Sequence, residues 1–206
     1  DSSSDAAADT ETPAEGATYT VGICQLVQHV ALDAATEGFK DALTEALGDK
    51  VTFQEQNASG DSATCSLICN QFVSDEVDLI MANATASIQA AASATNTIPI
   101  LGTSITDYGV ALGVDNWTGV SGTNISGTSD LAPLDGQAAM IQELFPDAKT
   151  IGLLYCSGEP NSIFQADSME ALLTDMGYSV ERYTFADSND VSSVTANACS
   201  NSDVLY

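Results

Sequence analysis

The chain has 206 residues, 44% of them hydrophobic, which is enough for a packed core in one large or two small domains and too much for a disordered chain. It carries 29 acidic against 4 basic side chains, a formal net charge of −25 spread along its length. That surface repels nucleic-acid backbones and anionic lipid headgroups, and no stretch approaches the roughly 18 apolar residues of a membrane span.

Residues 1–18, DSSSDAAADTETPAEGAT, are small, polar and acidic without apolar periodicity, the composition of a flexible tether. No basic, apolar leader opens the sequence, so the chain is expected to be mature or trimmed. From Tyr19 the pattern alternates between short apolar runs and helical periodicity. Tyr19–Val27 reads as a buried strand, and Ala34–Leu47 as a helix capped by Asp33 and stopped by Gly48. Val51–Gln56 is a strand, Asn57–Asp61 a turn and Ala63–Ser74 a helix. Val77–Met81, Ala86–Ala94 and Ile98–Leu101 continue as strand, helix and strand. This β-α-β-α-β-α-β order predicts a parallel sheet with helices on both faces.

Gly102–Ser129 is rich in Gly, Ser, Thr and Asn and reads as loops around short extended pieces, passing to a second unit. There, Pro133–Phe145 is helical, with Pro133 suited to the first turn. Thr150–Tyr155, Ile163–Met176, Ser179–Phe185 and Val191–Cys199 alternate strand and helix, and Val204–Tyr206 begins another strand. The expected architecture is α/β, with two Rossmann-like lobes joined by a hinge: a tether over 1–18, a first lobe over 19–128, and a second, incomplete lobe over 129–206.

Catalytic and metal signatures are weak. GxSxG, P-loop, HExxH and GxGxxG patterns are absent. Five cysteines, Cys24, Cys65, Cys69, Cys156 and Cys199, are an odd number in a chain too large to need a disulfide framework. Cys65 and Cys69 sit four apart on a predicted helix without the second pair a zinc site needs, so buried free thiols are expected. His29 is the one histidine and reads as a polar wall or a cap. Trp117 is expected to pack against the sheet edge. No cofactor or metal is indicated. An enzyme of this architecture would need paired acid/base groups, for which Cys24 and Cys156, near the ends of each lobe's first strand, are the candidates.

In open parallel sheets ligands bind beyond the carboxyl ends of the strands, where the loops here are dense in hydroxyls, amides and carboxylates. The candidate ligand-binding residues are Ala31, Leu32, Asp33, Asn83, Thr85, Ser104, Thr106, Asp107, Ser157, Glu159, Asn161 and Ser162. Helix N-termini with Thr85 and Ser104 would suit a carboxylate, Asp107 or Glu159 an amine, and Leu32, Tyr108 and Ile163 an apolar wall. Ordinary N-capping competes with ligand contact for each of these residues.

The segment VGICQLVQHVALDAATEGFKDAL resembles the opening of ABC-transporter substrate-binding proteins of the tryptophan/tyrosine-receptor type, which have the type I periplasmic-binding-protein fold. QNASGDSAT, VDLIMANATASIQAA, IPILGTSITD, NISGTSDLAPL and IGLLYCSGEPNS extend the resemblance in order to Tyr206. The family pattern has proline where this chain has Val30, and family members run on past the counterpart of Tyr206. The resemblance implies an extracytoplasmic receptor, not an enzyme, enclosing a small molecule between two lobes, an amino acid and preferably an aromatic one. It further implies an ABC permease and its ATPase as partners, with the membrane reached only through a lipid anchor. The loops at Ala31–Asp33, Asn83–Thr85, Ser104–Asp107 and Ser157–Ser162 would line the cleft. A ligand-sensing domain of a receptor is the remaining alternative, since fold alone does not fix function.

Overall fold

The structure, a computed structural model, describes residues 16–206. Most of the expected tether, residues 1–15, lies outside the described residues. The chain runs β1 (Tyr19–Gln25), α1 (Val30–Leu47), β2 (Val51–Asn57), α2 (Ser62–Ser74), β3 (Leu79–Asn83), α3 (Thr85–Ala94), β4 (Ile100–Ile105), α4 (Tyr108–Leu112) and β5 (Ile125–Ser129). It continues through α5 (Leu134–Leu144), β6 (Thr150–Cys156), α6 (Pro160–Asp175), β7 (Ser179–Phe185), α7 (Val191–Asn201) and β8 (Val204–Leu205). The strands form two separate parallel sheets, in the orders β2-β1-β3-β4-β5 and β7-β6-β8.

Each sheet has its own core. On one face of the first, Ile80, Ile88, Ile100, Ile105 and Phe72 pack between the strands, α2 and α3. On the other face Val21, Ile23, Val51 and Met81 meet Phe39, Leu43 and Leu47 of α1. The second sheet is covered by Leu134, Ala138 and Ile141 of α5 and by Ala166, Met169 and Leu173 of α6. This is the αβα layering that buries a parallel sheet on both sides. Gly22 lets α2 lie close to β1: a Cβ there would sit 2.6 Å from Phe72 Cγ.

Three local differences from the sequence-based expectation matter for the site. α1 begins at Val30, and its cap is His29, whose Nδ1 accepts from Ala31 N at 3.2 Å. Asp33 therefore lies inside the first turn. β3 and β4 run further than expected, because small residues continue the pairing: Ala82 against Cys24, Asn83 against Gln25, Gly102 against Ala82. Gly102–Ser129 is more ordered than a loop. Asp107 caps the short α4, Trp117 stacks on Tyr108 with ring centroids 6.1 Å apart, and Ile125–Ser129 pairs with β4.

Candidate functional site

The carboxyl ends of both sheets open onto one gap of about 370 Å³. From the first sheet it is lined by Leu26 and Leu32 around the β1–α1 connection, by Ser62, by Ala84, Thr85, Ala86 and Gln89 at the start of α3, and by Ser104, Thr106 and Asp130. From the second come Gly158, Glu159, Pro160 and Asn161, between β6 and α6. Strand tips of two sheets thus share one cleft, in the position the crevice rule assigns to ligands.

Backbone geometry aims several of these residues. Ala84 has φ 87° and ψ 162° and Ser104 has φ 56°, conformations that residues with a Cβ rarely adopt. The Ser104 conformation falls where the β4–β5 register shifts between Gly102 and Ile105. That irregularity turns Ser104 out of the ladder, as bulges do beside binding sites. Ala84 before α3 and Glu159 before α6 provide no side-chain cap, as is also true ahead of α5 and α7, whereas α1, α2 and α4 are capped by His29, Asp61 and Asp107. At α3 the N–H groups of Thr85 and Ala86 have no backbone partner and face the gap, the arrangement that favours an anionic group, whereas at α6 Pro160 has no N–H and Ser162 N donates to Glu159 O at 3.1 Å, leaving Asn161 N.

The side chains add donors and negative charge. Thr85 is 6% exposed, and neither its hydroxyl nor that of Ser104 has a hydrogen-bond partner among the described residues. Glu159 accepts from Ser162 Oγ at 2.8 Å. Asp130 lies close enough to Tyr108 that its charge, after the larger effect of burial, helps push that phenol up to about 12. Neither lysine, arginine nor histidine lines the gap. Lys40 is engaged by Glu37 and Glu55, and Arg182 by Asp167 and Glu170, both away from it.

Of the twelve candidate residues, the structure brings Leu32, Thr85, Ser104, Thr106, Glu159 and Asn161 together around the gap. The others lie elsewhere. Ala31 is exposed on α1, its N–H used by the His29 cap. Asp33 accepts from Gln25 Nε2 at 2.6 Å. Asn83 is fully buried as the last residue of β3, donating to Leu32 O at 2.8 Å and Thr36 Oγ1 at 3.0 Å. Its Oδ1 has no hydrogen-bond partner among the described residues. Asp107 Oδ1 accepts from Val110 N at 2.8 Å as the α4 cap. Ser157 Oγ donates to Phe185 O at 3.2 Å, tying the β6 end to β7, and Ser162 supports Glu159 from the α6 side.

Among the expected wall residues, Tyr108 is instead a core residue, its Oη donating to Gly102 O at 3.0 Å, and Ile163 does not line the gap. Sequence reasoning missed Leu26, Ser62, Gln89 and Asp130. Asp130 follows β5, a strand hidden in the Gly/Ser/Thr-rich stretch, and the rule of looking after each strand finds it once β5 is recognised.

The cysteine pair does not form a site. Cys24 is fully buried between β1 and α2, with its Sγ 3.6 Å from Ser87 Oγ. The neighbouring Cys65 thiol acts to lower its pKa, but contact with Cys69 and burial together push it up to about 12. Cys156 sits against Ala186 O at 3.8 Å. Neither thiol lines the gap. A larger hollow of about 640 Å³ lies beside α1 and β2, lined by Gln25, Asp33, Thr36, Glu37, Glu55 and Asn57 among others. Its walls come from the first sheet's side only, so it offers nothing for two lobes to grip.

The family model described as ABC transporter substrate binding protein matches residues 20–206. A tyrosine-binding protein of Clostridioides difficile is 39% identical over 189 residues, which is 90% of this chain and 54% of that protein. The ABC domain of a Streptococcus pneumoniae protein in complex with L-Trp is 31% identical, with a TM-score of 0.86 over 92% of this chain and 64% of that one. A ligand-free, open substrate-binding protein from Clostridium difficile is 39% identical, with a TM-score of 0.65 over 92% of this chain and 65% of that one. The chain thus spans between about half and two thirds of the length of these relatives. Two parallel αβα lobes meeting at their strand tips, and a family match along nearly all the described residues, place this chain in the ABC transporter substrate-binding protein family, with the type I periplasmic-binding-protein fold.

Proposed function

We propose that the chain is the ligand-gripping part of an extracytoplasmic receptor that captures a single free amino acid, with aromatic side chains preferred, and delivers it to an ABC permease and its ATPase. The observation that carries this is the composition of the gap: the uncapped N-terminus of α3 beside the hydroxyls of Thr85 and Ser104, two carboxylates and no cationic side chain. A ligand with one carboxylate and one ammonium satisfies both sets of groups. A dicarboxylate or a phosphate would meet Asp130 and Glu159 without compensation.

In this reading the ligand carboxylate rests at the start of α3, against the Thr85 and Ser104 hydroxyls and the first-turn N–H groups. The ammonium is held by Asp130 or Glu159, and the side chain lies on Leu26, Leu32 and Pro160. A volume of about 370 Å³ is at the small end for ligand pockets, which suits one amino acid and not a peptide or oligosaccharide. Residues 19–128 and 129–206 act as the two lobes, closing over the solute by rotation about the Asp130–Pro133 segment. The higher TM-score with the Trp-bound relative than with the open one, despite lower identity, supports a closed arrangement here. The acidic segment 1–18 serves as a tether, with a lipid anchor holding the receptor at the membrane.

Titration calorimetry of the wild type with L-tyrosine and L-tryptophan is the direct test. Thr85→Ala and Ser104→Ala should each weaken binding by about tenfold, the cost of one hydrogen bond to a charged group, with an unchanged melting temperature. Variants that bind as wild type but melt earlier would show that these hydroxyls serve the fold and not the ligand.

A further inference from the structure

Behind the apolar side of the gap lies a buried polar knot that does not line the gap itself. Gln25, Thr36 and Asn83 are 4%, 1% and 0% exposed. Gln25 and Asn83 are register partners at the ends of β1 and β3, so their side chains leave the sheet on the same face. Thr36 Oγ1 bridges them, donating to Gln25 Oε1 at 2.7 Å and accepting from Asn83 Nδ2 at 3.0 Å. The remaining donors reach the backbone that carries the wall. Gln25 Nε2 donates to Val27 O at 2.9 Å and to Asp33 Oδ1 at 2.6 Å, and Asn83 Nδ2 donates to Leu32 O at 2.8 Å.

Leu26 is therefore bracketed by one side chain that joins the residues on either side of it, and its own N–H donates to Asn83 O at 3.2 Å. Leu32 is clamped through its carbonyl. We propose that Gln25, Thr36 and Asn83 are positioning residues that set the placement of Leu26 and Leu32, and through them which side chain the cleft prefers. This inference rests on the amino-acid reading above. A knot that only filled space would be served by apolar residues of the same shape. Asn83 instead commits both amide donors, to Leu32 O and to Thr36 Oγ1, and so ties the wall to the sheet.

The test uses the whole chain as wild type, Thr36→Val and Thr36→Ser. Valine keeps the shape of threonine but neither donates nor accepts, while serine keeps the hydroxyl. Calorimetry with L-tryptophan, L-leucine and L-alanine reads both affinity and preference. In T36V the preference for L-tryptophan over L-alanine should fall by about tenfold, because the wall loses its two-way tie while the carboxylate and ammonium contacts remain. T36S should follow the wild type. Amide hydrogen exchange at Leu26 and Asp33 should speed up in T36V, with the strands of the second sheet unchanged.

Equal weakening for all three probes, or an unchanged preference, overturns the proposal. A wild type that binds none of the three overturns the amino-acid reading and this inference with it, a result distinct from a failure of the variants alone. If T36V does not fold, Gln25→Met removes the ties of Gln25 to Thr36, Val27 and Asp33 and is judged by the same ratio.

Discussion

Ala84 shows how a single backbone conformation can report on a site. Its φ of 87° and ψ of 162° belong to a region that glycine enters freely and alanine does not, at a cost of about 1–3 kcal/mol. The position opens α3 and lines the gap, where the chain must turn sharply from β3 so that free N–H groups face outward. Ala84→Gly should relieve that strain, less about 0.4–1 kcal/mol for the looser unfolded chain. A net gain of roughly 1 kcal/mol raises the melting temperature by about 2–4 °C, read by calorimetry. Binding should not improve in parallel, since the turn becomes less tightly set. Thr85 and Ser104 were legible in sequence because hydroxyls after a predicted strand are conspicuous. Asn83 looked equivalent and was not. It completes the β3 ladder and faces α1, a difference decided by one residue of strand length, which hydropathy does not resolve.

At the scale of elements, the alternating pattern identified the strands and helices that carry large apolar residues, and misplaced those that do not. β3 and β4 extend through Ala82, Asn83 and Gly102, residues of low strand propensity held by pairing on both sides. β5, with the sequence ISGTS, has one large apolar residue and so gave no periodic signal. Gly127 explains its composition: a Cβ there would overlap Gly102 O and the Tyr108 hydroxyl. The same logic makes Gly22 a test of how α2 seats on β1. Gly22→Ala places a methyl group against the ring of the fully buried Phe72, which must shift, at about 1–3 kcal/mol for overpacking. Urea unfolding should show a lower midpoint with an unchanged slope.

Across the whole molecule, electrostatics work against compactness. With a net charge of −25, self-repulsion opposes the folded state, while the ion pairs of Lys40 and Arg182 are partly exposed and worth about 0–1 kcal/mol each. Salt weakens both, and the repulsion among so many carboxylates outweighs the few attractive pairs. Raising sodium chloride from about 0.01 M to about 0.5 M, which shortens the screening length several-fold, should therefore raise the urea midpoint. A falling midpoint would mean that the ion pairs matter more than the excess of negative charge.

If the two halves close as proposed, the passage between the sheets, Asp130 to Pro133, also sets an order of events. Asp130 lines the binding gap and, in the closure proposed above, also belongs to the segment about which the two halves would turn. A contact at a fulcrum has almost no lever arm, so a solute resting on Asp130 keeps that contact whether the halves are apart or together. Glu159 and Asn161, contributed by the other half, would be carried in by the closure and meet the solute later. Docking then precedes clasping: the near side chooses what stays, and the far side decides how long.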